Sequence, residues 1–213
     1  MTEKEVKHQI SLSTIVVIIL LILIIIGVTI TIPILYSTAE GDTSNSTSIY
    51  APIEYVTNEC TQSMSSITIL NSLIDQEPFP YRYYNHIYRP SVILKTVSII
   101  FGFRHDIKSW SLDKISVIDT TTNIDVIQDG DFESNYLNQS YAQCILSNTR
   151  NSISDILFDL PYSNDFYYND QTNVGMTYLS QIINIVGGRY YNISFYLENR
   201  GYPNNLFVLL VGA

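Results

Sequence analysis

The sequence predicts an all-β sandwich carried behind one membrane-spanning helix, and three observations predict it. A run without charge occupies the start of the chain, apolar and polar residues alternate through much of the remainder, and Gly, Pro and Asn separate the alternating runs. No long helical period competes with that alternation.

Residues 1–9 form a short polar tail, and residues 10–36 are almost wholly Ile, Val, Leu and Thr. As a helix the run would measure roughly 40 Å against a hydrocarbon layer of about 30 Å, so it can span with some tilt. The apolar stretch of a cleaved signal peptide is only about 7 to 15 residues, so this one reads as an anchor. Lys4 and Lys7 precede it, and no Lys or Arg follows before Arg82. That asymmetry puts the tail in the cytoplasm and the C-terminal part outside the cell or in the secretory lumen.

Residues 37–58 include "STAEGDTSNSTS", too poor in apolar side chains to bury a core, and read as a stalk. The tripeptides at Asn45, Asn138 and Asn192 are N-glycosylation acceptors that agree with an extracellular placement. Residues 59–213 then form the outer domain. Its two cysteines, Cys60 and Cys144, are expected to pair in an oxidising compartment, with two buried thiols as the alternative; their spacing fits no zinc motif. The bridge would close about 84 residues, worth roughly 4 kcal/mol in the chain-entropy model before native strain is counted.

In "ILKTVSIIFGF", Ile93, Val97, Ile99, Phe101 and Phe103 share one face, with Thr96, Ser98 and Gly102 on the other. In "RYYNISFYLEN", Tyr191, Ile193, Phe195 and Leu197 oppose Asn192, Ser194 and Glu198. "YLSQIINIV" and "NNLFVLLVG" add two apolar runs, and "GG", "RGYPNN", "DQEPFPY" and "YSND" supply the turns. Many short strands so punctuated argue a sandwich rather than an α/β fold.

The chain holds 20 acidic and 11 basic residues; removing Glu3, Glu5, Lys4 and Lys7 leaves 18 and 9, so the outer part keeps the whole net charge of −9. A field of that sign makes nucleic acid and anionic lipid surfaces poor partners and favours cations or neutral ligands. The 17 tyrosines crowd into "YRYYNHIYRP" (Tyr81 to Pro90) and "PYSNDFYYND" (Pro161 to Asp170). A flat ring with a polar tip suits stacking on sugars or a protein surface, although the same rings can cover strand faces. Spare Asn and Asp groups make the second cluster the stronger candidate.

Three further pieces carry a resemblance. "DGDFES" (Asp129 to Ser134), "LSQIINIVGGRYYNISFYLEN" (Leu179 to Asn199) and "SWSLDKISV" (Ser109 to Val117) resemble the opening strand, the middle strands and the closing strand of xylan- and glucan-binding carbohydrate-binding modules, and of galactose-binding-like sandwiches generally. The closing piece comes first here. Either two truncated sandwiches meet near residues 118–126, or one circularly permuted jelly roll runs through both. Half-sandwiches expose apolar faces and edges, which favours the single jelly roll. The resemblance further implies a structural calcium held by Asp113 and Glu133 with Asp131 or Asp129 assisting, carboxylate oxygens being suited to a hard cation. Lys114 departs from the pattern, standing where a second Asp is common.

No nucleophile elbow, zincin helix, phosphate loop or Cys–base pair appears, and the adjacent His105 and Asp106 would point to opposite faces of a strand. The expectation is therefore a non-catalytic, membrane-anchored module binding carbohydrate, with Trp110, Tyr162, Tyr167 and Tyr168 stacking on the ligand. An adhesive domain meeting protein through a tyrosine surface is the alternative, and a membrane-bound glycoside hydrolase the third reading.

Overall fold

A computed structural model describes residues 53–213; the expected tail, the 10–36 span, most of the stalk and Asn45 lie outside the described residues. Among the described residues no helix is long and apolar enough to cross a membrane. Eleven strands are found there: β1 (Ile67–Ile74), β2 (Phe79–Tyr88), β3 (Thr96–His105), β4 (Trp110–Asp119), β5 (Ile124–Asp125), β6 (Ala142–Ile145), β7 (Ser154–Leu157), β8 (Tyr167–Asp170), β9 (Thr177–Asn184), β10 (Tyr191–Asn199) and β11 (Asn205–Gly212). One short helix, α1 (Leu137–Ser140), precedes β6.

The strands form two antiparallel sheets, ordered β1-β11-β3-β9-β6 and β2-β10-β4-β8-β7, with β5 paired to the end of β4. Within β1 to β4, and again within β8 to β11, each strand lies in the sheet opposite its predecessor, an arrangement consistent with a jelly roll. Both sheets interleave strands from before and after residues 118–126, so the chain builds one sandwich and that junction is the tight β4–β5 connection.

Alternation supplies the core. Tyr191, Ile193, Phe195 and Leu197 of β10 face Val97, Ile99, Phe101 and Phe103 of β3 across the sandwich, all buried in one cluster with Trp110, Leu112 and Phe207. Ile93 departs from its expected face: it stands in the β2–β3 loop and is exposed, because the strand begins only at Thr96. β11 is buried throughout since its second face is covered as well. There Ile100, Tyr178, Val208 and Leu210 form a smaller cluster with Val56, and Tyr55, Cys60 and Met64 pack against it. Residues 53–58, whose composition reads as stalk, thus belong to the folded domain. Cys60 and Cys144 form the expected disulfide, which pins this covering segment beside β6; the Cα atoms are 5.8 Å apart.

The "DGDFES" stretch is a turn and not an opening strand. Phe132 is fully buried with φ of 60°, and Gly130 lies so close to β4 that its carbonyl accepts the Ile115 N–H at 2.7 Å. Apolar burial, not strand pairing, holds Phe132 in place. The compact unit Ser48–Ala213 contains every described strand, both clusters and the disulfide, and so carries all that is needed to fold by itself.

Candidate functional site

The tyrosine face of the second sheet is built by the outward positions of β2 and β10. Since Tyr191, Ile193, Phe195 and Leu197 point inward, Tyr196 and Glu198 point outward, and the register sets Tyr196 opposite Tyr83. Those two rings lie 5.3 Å apart between centroids. Tyr162, from the β7–β8 loop, lies flat on Tyr196 at 3.6 Å and 16°, and its other neighbour is Tyr81 at 5.7 Å. The Tyr81 hydroxyl donates to the Leu160 carbonyl at 3.3 Å, which ties the loop to the sheet. Tyr83 is 54% and Tyr162 44% exposed, so part of each ring meets solvent.

A polar margin surrounds the rings. Asp113 of β4 stands beside Tyr196 in the register, fully buried, and its carboxylate accepts the Ser163 N–H at 3.0 Å and the Lys114 N–H at 2.6 Å. Burial pushes the Asp113 carboxyl up to about 6, partly offset by the N–H groups of Ser163, Lys114 and Tyr162. Burial, with the charges of Asp113 and Glu198 adding to it, raises the Tyr81 phenol as well, so that ring stays neutral. Asn85 donates to the Tyr83 hydroxyl at 3.2 Å, and Arg200 pairs with Glu198 at 2.8 Å. The buried Ser163 hydroxyl has no hydrogen-bond partner.

Of the residues singled out for stacking, Tyr162 alone reaches this face. Trp110 is fully buried, packed on Phe79 and Phe207, and its indole N–H donates to the Arg104 carbonyl at 2.9 Å. Tyr168 is fully buried against Phe103 and Phe132, its hydroxyl accepting from Gln143 at 3.0 Å. Tyr167 is fully buried with the Arg200 guanidinium above its ring, and its hydroxyl donates to Asp159 at 2.6 Å. Interior packing has claimed all three. Tyr81, Tyr83 and Tyr196, which take their place, are legible in hindsight: Tyr196 continues the Asn192, Ser194, Glu198 series, and Tyr81 and Tyr83 open the first tyrosine cluster.

The carboxylates expected to hold calcium do not converge. Asp113 caps Ser163, Glu133 accepts the N–H groups of Asp165 and Phe166 at 3.0 and 3.1 Å, and Asp131 faces Lys114 at 3.7 Å. The lone pairs of Asp113 and Glu133 are directed at N–H donors of the 159–166 loop and Asp131 faces a cation, and among the described residues no group of three or more potential metal ligands assembles. Asp129 likewise caps Ser134, through its N–H at 3.0 Å and its hydroxyl at 2.6 Å. Of the acceptor asparagines, Asn138 is exposed on α1, whereas Asn192 lies within β10 with its side-chain oxygen buried.

His105 is buried at the end of β3. Its Nδ1 accepts the Lys108 N–H at 2.9 Å, which assigns the proton to Nε2, 3.0 Å from Asn199 Oδ1. Both ring nitrogens are thus engaged in fastening loops. No family model, curated protein or solved structure matches the chain.

Proposed function

We propose that the domain is a non-catalytic module that binds a neutral glycan on the tyrosine face, displayed outside the cell by the 10–36 anchor. The observation that carries this reading is the surface group of Tyr81, Tyr83, Tyr162 and Tyr196, in contact with one another and flanked by hydrogen-bonding side chains. Flat apolar rings match the C–H faces of sugars, while Asn85, Glu198 and Arg200 offer both donors and acceptors for hydroxyls. A neutral ligand suits the acidic domain, and the sandwich architecture agrees with a carbohydrate-binding module of jelly-roll type. The reading does not require calcium: Asp113 and Glu133 accept N–H groups of the 159–166 loop, and Asp131 faces Lys114.

A second reading has its own support. Phe158 and Leu160 are exposed on the same loop as Tyr162 and would extend the face into a surface broad enough for protein. Residues 48–213, secreted and screened on a glycan array with calcium and again with chelator, separate the two. Selective binding that free sugar competes and chelator leaves unchanged is expected, with Tyr162→Ala and Tyr83→Ala each weakening it about tenfold. A blank array from folded protein, with self-association or retention of a protein partner abolished by Phe158→Ala, would move the assignment to adhesion.

A further inference from the structure

We propose that the end of the sandwich formed by the β2–β3, β4–β5 and β9–β10 connections is a lipid-contact tip that seats on a bilayer bearing anionic headgroups. Val92 and Ile93 are 76% and 81% exposed, and Val186, Ile124 and Tyr190 are exposed beside them. These side chains stand on one continuous surface. A Cβ on Gly187 would meet the Val92 backbone at 2.5 Å, one on Gly188 the Val92 side chain at 3.0 Å, and Ile124 and Val186 line one shallow cavity of about 270 Å³.

The tip is rigid without them. Gly188 donates to the Pro90 carbonyl at 3.0 Å, Ile185 to that of Lys95 at 2.8 Å, and Thr120 to that of Tyr190 at 3.0 Å, so main-chain bonds join all three connections. Val92 and Ile93 leave most of their apolar surface to solvent, and the main-chain bonds between the connections do not depend on their side chains. Apolar side chains on convex, prefixed loops suit insertion among lipid headgroups better than a flat protein contact.

Charge selects the bilayer. The domain as a whole is acidic, but screening over about 8 Å at physiological salt makes the local charge decisive. At this end Arg89, Lys95 and Arg189 are grouped around the apolar residues, with the Arg89 guanidinium 5.1 Å from the Tyr190 ring centre, the amphipathic chemistry of an interfacial belt. Of the neighbouring carboxylates, Asp119 is buried and bonded to Arg189 at 2.7 Å, while Asp125 accepts from the Val117 N–H and the Ser116 hydroxyl and keeps its charge. Arg89 and Lys95 are exposed, the Arg89 Nε donating to the Gly188 carbonyl at 2.9 Å, so three cations stand against two carboxylates around the aliphatic side chains.

The test is sedimentation of residues 48–213 with vesicles of phosphatidylcholine alone and of phosphatidylcholine with phosphatidylserine at about 3:1. Binding to the mixed vesicles, weakened by salt, is expected. Val92→Asp with Ile93→Asp should reduce it at least tenfold, and Lys95→Gln roughly fivefold. All these positions are exposed, so melting temperatures should match the wild type, and Tyr162→Ala should bind vesicles normally. Failure of the folded wild type to sediment, equal binding by the Val92→Asp/Ile93→Asp variant, or tip-dependent capture of a protein without affinity for vesicles would overturn the proposal.

Discussion

Asp170 is fully buried in a group of hydroxyls, bonded to the side chain of Ser154 and, at 3.0 Å each, to the N–H and hydroxyl of Thr172. Ser152 and Thr177 complete the network. Burial pushes the Asp170 carboxyl from 3.8 up to about 6, the hydroxyls offsetting part of the desolvation. A raised folded value means the native state holds its proton more tightly than the unfolded chain does. The stability from this residue is therefore present below about pH 4 and fades as pH rises through 6, by on the order of 3 kcal/mol. His105 and His86 have the opposite slope, because burial lowers both: their contribution is present above about pH 6.5 and is lost as pH falls. Asp170→Asn should remove Asp170's share of the fall between pH 4 and 7, leaving that of Asp113, when its denaturant stability is compared with the wild type at each pH. Parallel curves would show that Asp170 titrates alike in both states. None of this is readable from Asp170 in "YYND", since the hydroxyls come from residues 152, 154, 172 and 177.

At the scale of elements, two contacts join parts of the chain that pattern alone does not connect. A Cβ at Gly130 would lie 1.9 Å from the Ile115 carbonyl oxygen, so Gly130→Ala must displace the turn from β4. Overpacking against backbone has no flexible side chain to relieve it, and a loss of about 2–3 kcal/mol is expected in chemical denaturation. Gly130→Ala as stable as wild type would mean the 129–134 turn is not bound to the sheet. The disulfide fastens residues 53–66 over the outer face of the first sheet, where Ile100, Tyr178 and Val208 need cover. Cys60→Ser with Cys144→Ser should cost about 2–5 kcal/mol, read as a lower denaturant midpoint. It should also open the 53–66 segment to protease first, since the strands retain their own pairing. The period-two reading of β3, β9, β10 and β11 was within reach of the sequence because alternation is a local property. The start of β3 was not: Ile93 fits the alternation yet lies in a loop, as pairing with β9 and β11 begins only near Thr96.

For the whole molecule, interleaving matters most. β1 pairs with β11 in the first sheet and β4 with β10 in the second, so removing either half of the chain would strip partners from both sheets. Residues 48–213 should therefore unfold in one calorimetric transition whose van't Hoff and calorimetric enthalpies agree, with the disulfide intact. Two separable transitions would revive the picture of two partial sandwiches. The charge is also a property of the whole: net acidity argues against anionic partners on average, while the arrangement in space gathers Arg89, Lys95 and Arg189 at one end.

The sequence by itself determined the all-β class, several strands with their inward faces, and the Cys60–Cys144 pair, because alternation, turn residues and cysteine count are carried by neighbours in the chain or by composition. Only the tertiary structure decided which tyrosines are surface and which are core. Trp110, Tyr167 and Tyr168 are enclosed by strands and loops distant in sequence, and Tyr162 becomes a surface group because β10 presents Tyr196 beneath it. It also decided that Asp113 and Glu133 accept N–H groups of the 159–166 loop while Asp131 faces Lys114, since the direction of a carboxylate depends on the donors that folding brings to it.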